Sequence, residues 1–251
     1  MKRILIPLPS FGSDPSEVAI PSLFLIENGV EVIFATPDGK PAVVDQCMLT
    51  GKKLGILKSS LAANNDAVTA CLAIQKHTTF VNPISYQQIQ SEQFDGIYLP
   101  GGHDKSVKPF LESELLQQVI VEFFQAKKLV AAVCHGVVLV ARSIDPQTEK
   151  SVIHRFKTTA LLKKQEKLAY QLTRWWLGDY YLTYPEITVE DEVTNALEKP
   201  AQFIQGSLPL FRDSKTKLSA GFVVQDRNYI SARWPGDIYN LSKAMLEKLN
   251  A

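Results

Sequence analysis

The sequence predicts an α/β fold, a three-layer sandwich with a mostly parallel central sheet and a cysteine at a strand-to-helix elbow. Three observations predict it. Residues 3–35 alternate strand, helix and strand, the pattern of a parallel pair joined by a crossover. Leu129-Val130-Ala131-Ala132-Val133 is apolar at every position, as a strand buried on both faces requires. Directly after it, Cys134-His135 precedes a small, apolar run from Gly136 to Ala141 that reads as a buried helix. A side chain at that turn is pushed out of the sheet's carboxyl edge, where unpaired N–H groups of the helix start favour a negative charge.

Taken in order, residues 3–8 read as a strand and residues 9–13 as a loop. Asp14-Pro15-Ser16-Glu17 is a helix start, with Asp14 as cap, Pro15 at the first helical position and Glu17 where a capping box places its acid. Val18, Ile20, Phe24 and Leu25 supply the apolar face, Pro21 predicts a kink, and Asn28-Gly29 is a stop signal. Residues 30–35 form the second strand, closed by Thr36-Pro37-Asp38-Gly39. Residues 40–86 break the rhythm and read as an insertion on the sheet with a helix over 65–75. Residues 94–99 resume the core and run into Pro100-Gly101-Gly102-His103-Asp104, where two glycines let a backbone N–H approach a ligand with no Cβ in the way.

Residues 112–126 are amphipathic through Leu115, Leu116, Val119, Ile120, Phe123 and Phe124, and lead into the central strand. Beyond the elbow, residues 151–156 look strand-like and 158–175 helical. Residues 175–190 gather Trp175, Trp176, Tyr180, Tyr181 and Tyr184, a lid-like segment, an oligomer contact or, the commoner outcome, an aromatic satellite core. Residues 221–225 and 229–232 flank Asp226-Arg227-Asn228 as a hairpin, and Pro235-Gly236-Asp237 introduces a last helix to Leu249. With no repeat, low-complexity tract or linker, residues 1–251 read as one domain.

A hydrophobic fraction of 45% suits a globular core, and a net charge of +1 without a basic run gives no footprint for nucleic acid or a membrane surface. No apolar run reaches the length of a membrane span, and the start lacks a signal-peptide pattern, so a cytoplasmic location is expected. Cys47, Cys71 and Cys134 are an odd number at wide spacings, which argues against a disulfide framework and a thiolate zinc site. His103 with Asp104 and Glu17 offers one histidine and scattered carboxylates, so no metal is expected. No G-x-G-x-x-G fingerprint calls for a redox cofactor. Small neutral or polar substrates are the expected partners.

Three pieces thus meet at one sheet edge: Glu17, Gly101-Gly102 and Cys134-His135. A thiolate nucleophile needs a lowered pKa, a proton-transfer partner and donors for an oxyanion, and this edge offers all three. Cys134 is accordingly expected to be the most acidic and reactive of the three thiols.

The motifs Glu17-Val18-Ala19-Ile20-Pro21, Asp95-Gly96-Ile97-Tyr98-Leu99-Pro100-Gly101-Gly102-His103 and Ala131-Ala132-Val133-Cys134-His135-Gly136 resemble those of the ThiJ/PfpI superfamily, the Cys-elbow relatives of class I glutamine amidotransferases. The resemblance implies a flavodoxin-like sandwich, Cys134 as nucleophile, and a Glu17 carboxyl hydrogen-bonded to its sulfur. It implies His135 as its partner, an oxyanion site lined by the N–H groups of Gly102 and His135, and a pocket bounded by Gly101 and His103. His103 and the long segment after Gly39 resemble the larger branch of heat-shock chaperones and glutathione-independent glyoxalases, which implies conversion of methylglyoxal to lactate without cofactor, and a homo-oligomer, usually a dimer. That branch commonly completes a Cys-His-acid triad soon after the elbow, yet residues 156–161 hold no acid, leaving Glu166, Glu186 and Asp191 as substitutes. A stress chaperone or redox sensor without catalysis is the alternative function. An intracellular protease or amidase ranks lower, as does a class I glutaminase, because all four histidines precede residue 155 and none stands in H-x-E.

Overall fold

The computed structural model describes residues 1–251. Its strands are β1 (Arg3–Pro7), β2 (Glu31–Thr36), β3 (Ile84–Ser85), β4 (Gly96–Leu99), β5 (Leu129–Val133), β6 (Ile144–Asp145), β7 (Lys150–Ser151), β8 (Val223–Asp226) and β9 (Tyr229–Ala232). Seven form one sheet in the order β3-β2-β1-β4-β5-β9-β8, while β6 pairs with β7 alone. Every pairing in the large sheet is parallel except that of β8 with β9. The helices are α1 (Pro15–Glu27), α2 (Gln46–Thr50), α3 (Lys58–Leu61), α4 (Asn65–Ile74), α5 (Thr78–Val81), α6 (Lys108–Leu111), α7 (Glu114–Gln125), α8 (Gly136–Arg142), α9 (Lys163–Leu177), α10 (Val189–Asn195) and α11 (Ile238–Asn250).

The sheet grows in both directions from the β1–β4 pair. Right-handed crossovers therefore place α1 and α4 on one face and α7 on the other, with α11 packed on α1 and α8 on α7. The result is the mostly parallel three-layer sandwich. Where the winding reverses, loops leaving neighbouring strands part and open a crevice at the carboxyl edge. The loops after β1, β4 and β5 all end there. β5 is buried at every residue, as its unbroken apolar run requires, and belongs to a core of 60 buried hydrophobic residues.

Asp14 caps α1 by accepting the N–H groups of Ser16 and Glu17 at 2.8 and 3.1 Å. Helix α1 continues unbroken through Pro21. Proline has no N–H for the carbonyl four residues back, that of Glu17. The buried Tyr98 hydroxyl of β4 donates to that carbonyl at 2.7 Å, so the acceptor freed by Pro21 ties the start of α1 to the sheet.

Residues 40–86 contain α2 to α5 and the edge strand β3; α4 packs on α1, and β3 pairs with β2. The strand expected over 151–156 is reduced to the two-residue β7, followed by turns in which His154 and Phe156 donate to the Ser151 and Ile153 carbonyls. The helix expected from residue 158 starts at Lys163 instead. Ahead of it, the Thr158 side chain and the Thr159 N–H bind the Ser231 hydroxyl, which keeps these residues extended beside β9. Helix α9 carries Trp175 and Trp176 in its last turn and stops at Gly178, whose φ of +59° a residue with a side chain rarely adopts. No helix is long and apolar enough to cross a membrane.

Candidate active site

Cys134 occupies the elbow with φ +55°, a left-handed conformation that costs a non-glycine residue on the order of 1–3 kcal/mol. The surroundings hold it there: its N–H donates to Ala232 of β9, and α8 begins two residues later. The turn is tight because a Cβ on Gly136 would collide with the Leu99 carbonyl. On the β4 side, a Cβ on Gly101 would stand 2.7 Å from the His135 nitrogen, and one on Gly102 would strike the Gly12 carbonyl. The two glycines let three loops close on one point.

Glu17 is fully buried there. One carboxyl oxygen, Oε2, accepts the Gly101 N–H at 2.7 Å. The other, Oε1, is buried without a hydrogen-bond partner, sulfur included, although the Cys134 thiol is near enough to lower the pKa of this carboxyl. Glu17 therefore does not close a capping box: the Asp14 N–H, which it would have to hold, donates to the Gly101 carbonyl. Burial, with Asp14 adding to it, pushes the Glu17 carboxyl well above the usual carboxylate range, which favours its protonated form.

Cys134 is 1% exposed. Burial pushes its thiol well up, an ionised Glu17 or Asp14 would push it further, and the His135 N–H directed at the sulfur only partly opposes this. The expectation of an acidic Cys134 is thus corrected, since removal from water outweighs the field of the helix start. The Gly102 N–H has no acceptor within the chain, while that of Gly101 is taken by Glu17.

His135 lies between two polar neighbours. Its Nδ1 is 3.4 Å from the Cys134 sulfur, and its Nε2 is 3.0 Å from the Thr183 hydroxyl, which also contacts the His103 carbonyl at 2.8 Å. A carbonyl only accepts, so the Thr183 proton goes to His103 and Thr183 accepts from Nε2–H. His135 is then the Nε2–H tautomer with a bare Nδ1 toward the thiol. Burial depresses its pKa well below the usual histidine range, so it is neutral. Against its ring packs His103, centroid to centroid 5.0 Å, and His103 in turn meets the buried Tyr181 at 4.9 Å. Burial brings the His103 pKa down to about 4.

The three acids expected as substitutes lie elsewhere. Glu166 accepts the Val189 N–H at 3.0 Å, Asp191 pairs with Lys163 at 2.7 Å, and Glu186 is exposed; none contacts His135. Thr183, three residues before Glu186, takes that place, and a search for acids passes over a neutral hydroxyl. Sequence reasoning also missed Tyr98 and Arg212, which lines the cleft beside the site. No three His, Cys, Asp or Glu side chains converge as metal ligands.

With this geometry established, comparison with known proteins is decisive for the family: residues 8–202 match the model described as ThiJ/PfpI family-like. The chain belongs to that family. An uncharacterised protein of Schizosaccharomyces pombe is 26% identical over 147 residues, covering 56% of this chain and 54% of its own, so the match spans about half the length of that curated relative. Glyoxalase III of Candida albicans superposes with a TM-score of 0.69 at 15% identity, covering 98% of this chain and 97% of its own. A 24 kDa rapid encystment protein of Francisella tularensis gives 0.70 at 16% identity, covering 99% of each chain. Drosophila melanogaster DJ-1beta gives 0.57 at 16%, covering 99% of this chain and 90% of its own. At these identities the likeness speaks for the fold.

Proposed function

We propose that this ThiJ/PfpI-family protein is a cofactor-independent cysteine enzyme that converts small 2-oxoaldehydes to 2-hydroxy acids, methylglyoxal to lactate in the simplest case. The observation that carries the reading is the ordered chain from the Cys134 sulfur through His135 to Thr183, with a neutral base facing a neutral thiol. As sulfur adds to the aldehyde carbon, the thiol proton passes to His135 Nδ1 and the carbonyl electron pair moves to oxygen, where the N–H groups of Gly102 and His135 receive it. His135 gives that proton to the alkoxide and is neutral again; it then takes the C–H proton as the protonated Glu17 gives its own to the ketone oxygen, and returns it to the second carbon as the hydroxyl proton of the first carbon passes back to Glu17. The first carbon is now a thioester carbonyl and the second bears the hydroxyl. Water adds, the C–S bond breaks, and the thiol is restored. Atoms and electrons balance with water as the only co-reactant.

Lactate is expected from methylglyoxal without glutathione, nicotinamide cofactor or added metal, and none from Cys134→Ala. Absence of lactate above the Cys134→Ala background overturns the reading. A second reading, a holdase, is favoured by one feature: Leu168, Leu172 and Trp175 of α9 are exposed, together with Leu208, Leu210 and Phe211. Suppression of client aggregation equal in wild type and Cys134→Ala, with no lactate, would put it first. Three free cysteines fit work in the cytoplasm. We carry the homodimer into the same proposal; light scattering at the monomer mass removes it.

A further inference from the structure

A cleft of about 300 Å³ opens beside the buried site, and His103, whose ring packs against His135, forms part of its wall. Leu161, Leu172, Leu210 and Tyr181 make the wall mostly apolar. Methylglyoxal leaves most of this space empty, since it would hold roughly ten waters at about 30 Å³ each.

Polar atoms around the cleft lack partners. His103 Nδ1, Gln165 Oε1 and Trp234 Nε1 are all buried without a hydrogen bond, and all three residues line this one cleft. Buried polar groups are nearly always satisfied, so a cluster of exceptions points to a ligand that satisfies them. Arg212 lines the same cleft and lies over the Trp234 ring at 5.6 Å. Its Nη2 is anchored on the Ser60, Leu61 and Ala62 carbonyls, which leaves Nε and Nη1 unspent. The other charged residue of the lining, Asp14, already has Oδ1 committed to two backbone N–H groups. The unspent charged donors are therefore those of Arg212, and planar paired donors suit a carboxylate.

Building on the 2-oxoaldehyde reading above, we infer that the substrate carries a carboxylate a few carbons beyond the reacting carbonyls. That carboxylate binds Arg212, and the chain between lies along the apolar wall. 4,5-Dioxopentanoate has this form, and the reaction with water turns it into 2-hydroxyglutarate. Its neutral counterpart is 2-oxopentanal.

Two measurements test the assignment. With wild type, kcat/KM for 4,5-dioxopentanoate is expected to exceed that for 2-oxopentanal by about tenfold or more, the scale of one charge-assisted contact; in Arg212→Met the ratio falls toward one, and Arg212→Lys keeps part of it. With Cys134→Ala, calorimetry is expected to show the same Arg212-dependent preference for 2-hydroxyglutarate over 2-hydroxypentanoate. Turnover of both aldehydes at equal efficiency in wild type overturns the carboxylate site and leaves the Cys134 chemistry standing. Arg212-dependent binding without any turnover does the reverse. Should both Arg212 variants fail to fold, the discrimination by wild type and Cys134→Ala still decides, and equal binding of the two acids rejects the site.

Discussion

Thr183 Oγ1 stands 3.0 Å from Nε2 of His135, and its single proton is committed to the His103 carbonyl 2.8 Å away. The histidine beside Cys134 is thus oriented by a neutral group. A carboxylate in that place would hold the ring as an imidazolium opposite a thiolate; a hydroxyl fixes the tautomer and leaves the ring neutral. In the proposed reaction the pair moves a proton as sulfur attacks, and stores no charge beforehand.

Thr183→Val removes the acceptor of Nε2–H and keeps the volume. Lactate formation is expected to fall about tenfold or more, since a placed general base contributes on the order of 10²–10⁴-fold. Thr183→Ser, which restores the hydroxyl, is expected to recover most of it with the wild-type pH profile. Equal rates in all three proteins would show that the hydroxyl does not set the tautomer.

Much of the fold was legible because buried parallel strands and helix starts write themselves locally: residues 129–133 are apolar throughout, and Asp14-Pro15 begins a helix by its own chemistry. The loops after β1, β4 and β5 could be placed at one edge for the same reason. Thr183 could not, because it reaches His135 from 48 residues away. Arg212 arrives from a segment without regular structure and holds the end of α3. Residues 158–162 misled because their helical composition is overridden by Ser231, a partner 72 residues from Thr159.

Tyr98 and Pro21 supply a cycle that isolates one hydrogen bond. Tyr98→Phe leaves the Glu17 carbonyl buried without a donor, which costs about 1–3 kcal/mol. Pro21→Ala returns an N–H to the helix at the position that can reach this carbonyl. Urea unfolding is expected to show Pro21→Ala offsetting much of the loss in the Tyr98→Phe background. Additive effects of the two changes would mean that the carbonyl is satisfied in some other way.

Glu166 is 1% exposed, and burial pushes its pKa up to about 7 from an ordinary value of 4.5. The native state thus favours the protonated form, and the stability this supplies is present below pH 4.5 and lost as the pH rises through 7. A glutamine has no such dependence. Glu166→Gln is expected to match wild type near pH 4 and to gain up to ~3 kcal/mol on it at pH 8, less whatever the Val189 hydrogen bond loses. A stability difference that is constant across this range would show that Glu166 does not titrate in it.

The thiols are expected to react in an order opposite to the one that the elbow alone suggests. Cys134 is sealed and its thiol pushed well up, burial raises Cys71 to about 11, and Cys47 is the half-exposed one. Limiting iodoacetamide at pH 7.5, followed by mass-spectrometric mapping, is expected to label Cys47 first. Prior labelling of Cys134 would mean that the site opens and its thiolate is stabilised after all. Glu17→Gln then separates the two charge states of the neighbouring carboxyl. An amide presents one acceptor for the Gly101 N–H and one donor toward sulfur, as a protonated carboxyl does. The Cys134 alkylation profile of Glu17→Gln should therefore follow that of wild type between pH 6 and 8, with no loss of thermal stability at pH 8. An ionised Glu17 would behave otherwise: its removal would lower the Cys134 pKa and speed alkylation severalfold at pH 8, since a carboxylate beside the sulfur opposes the thiolate.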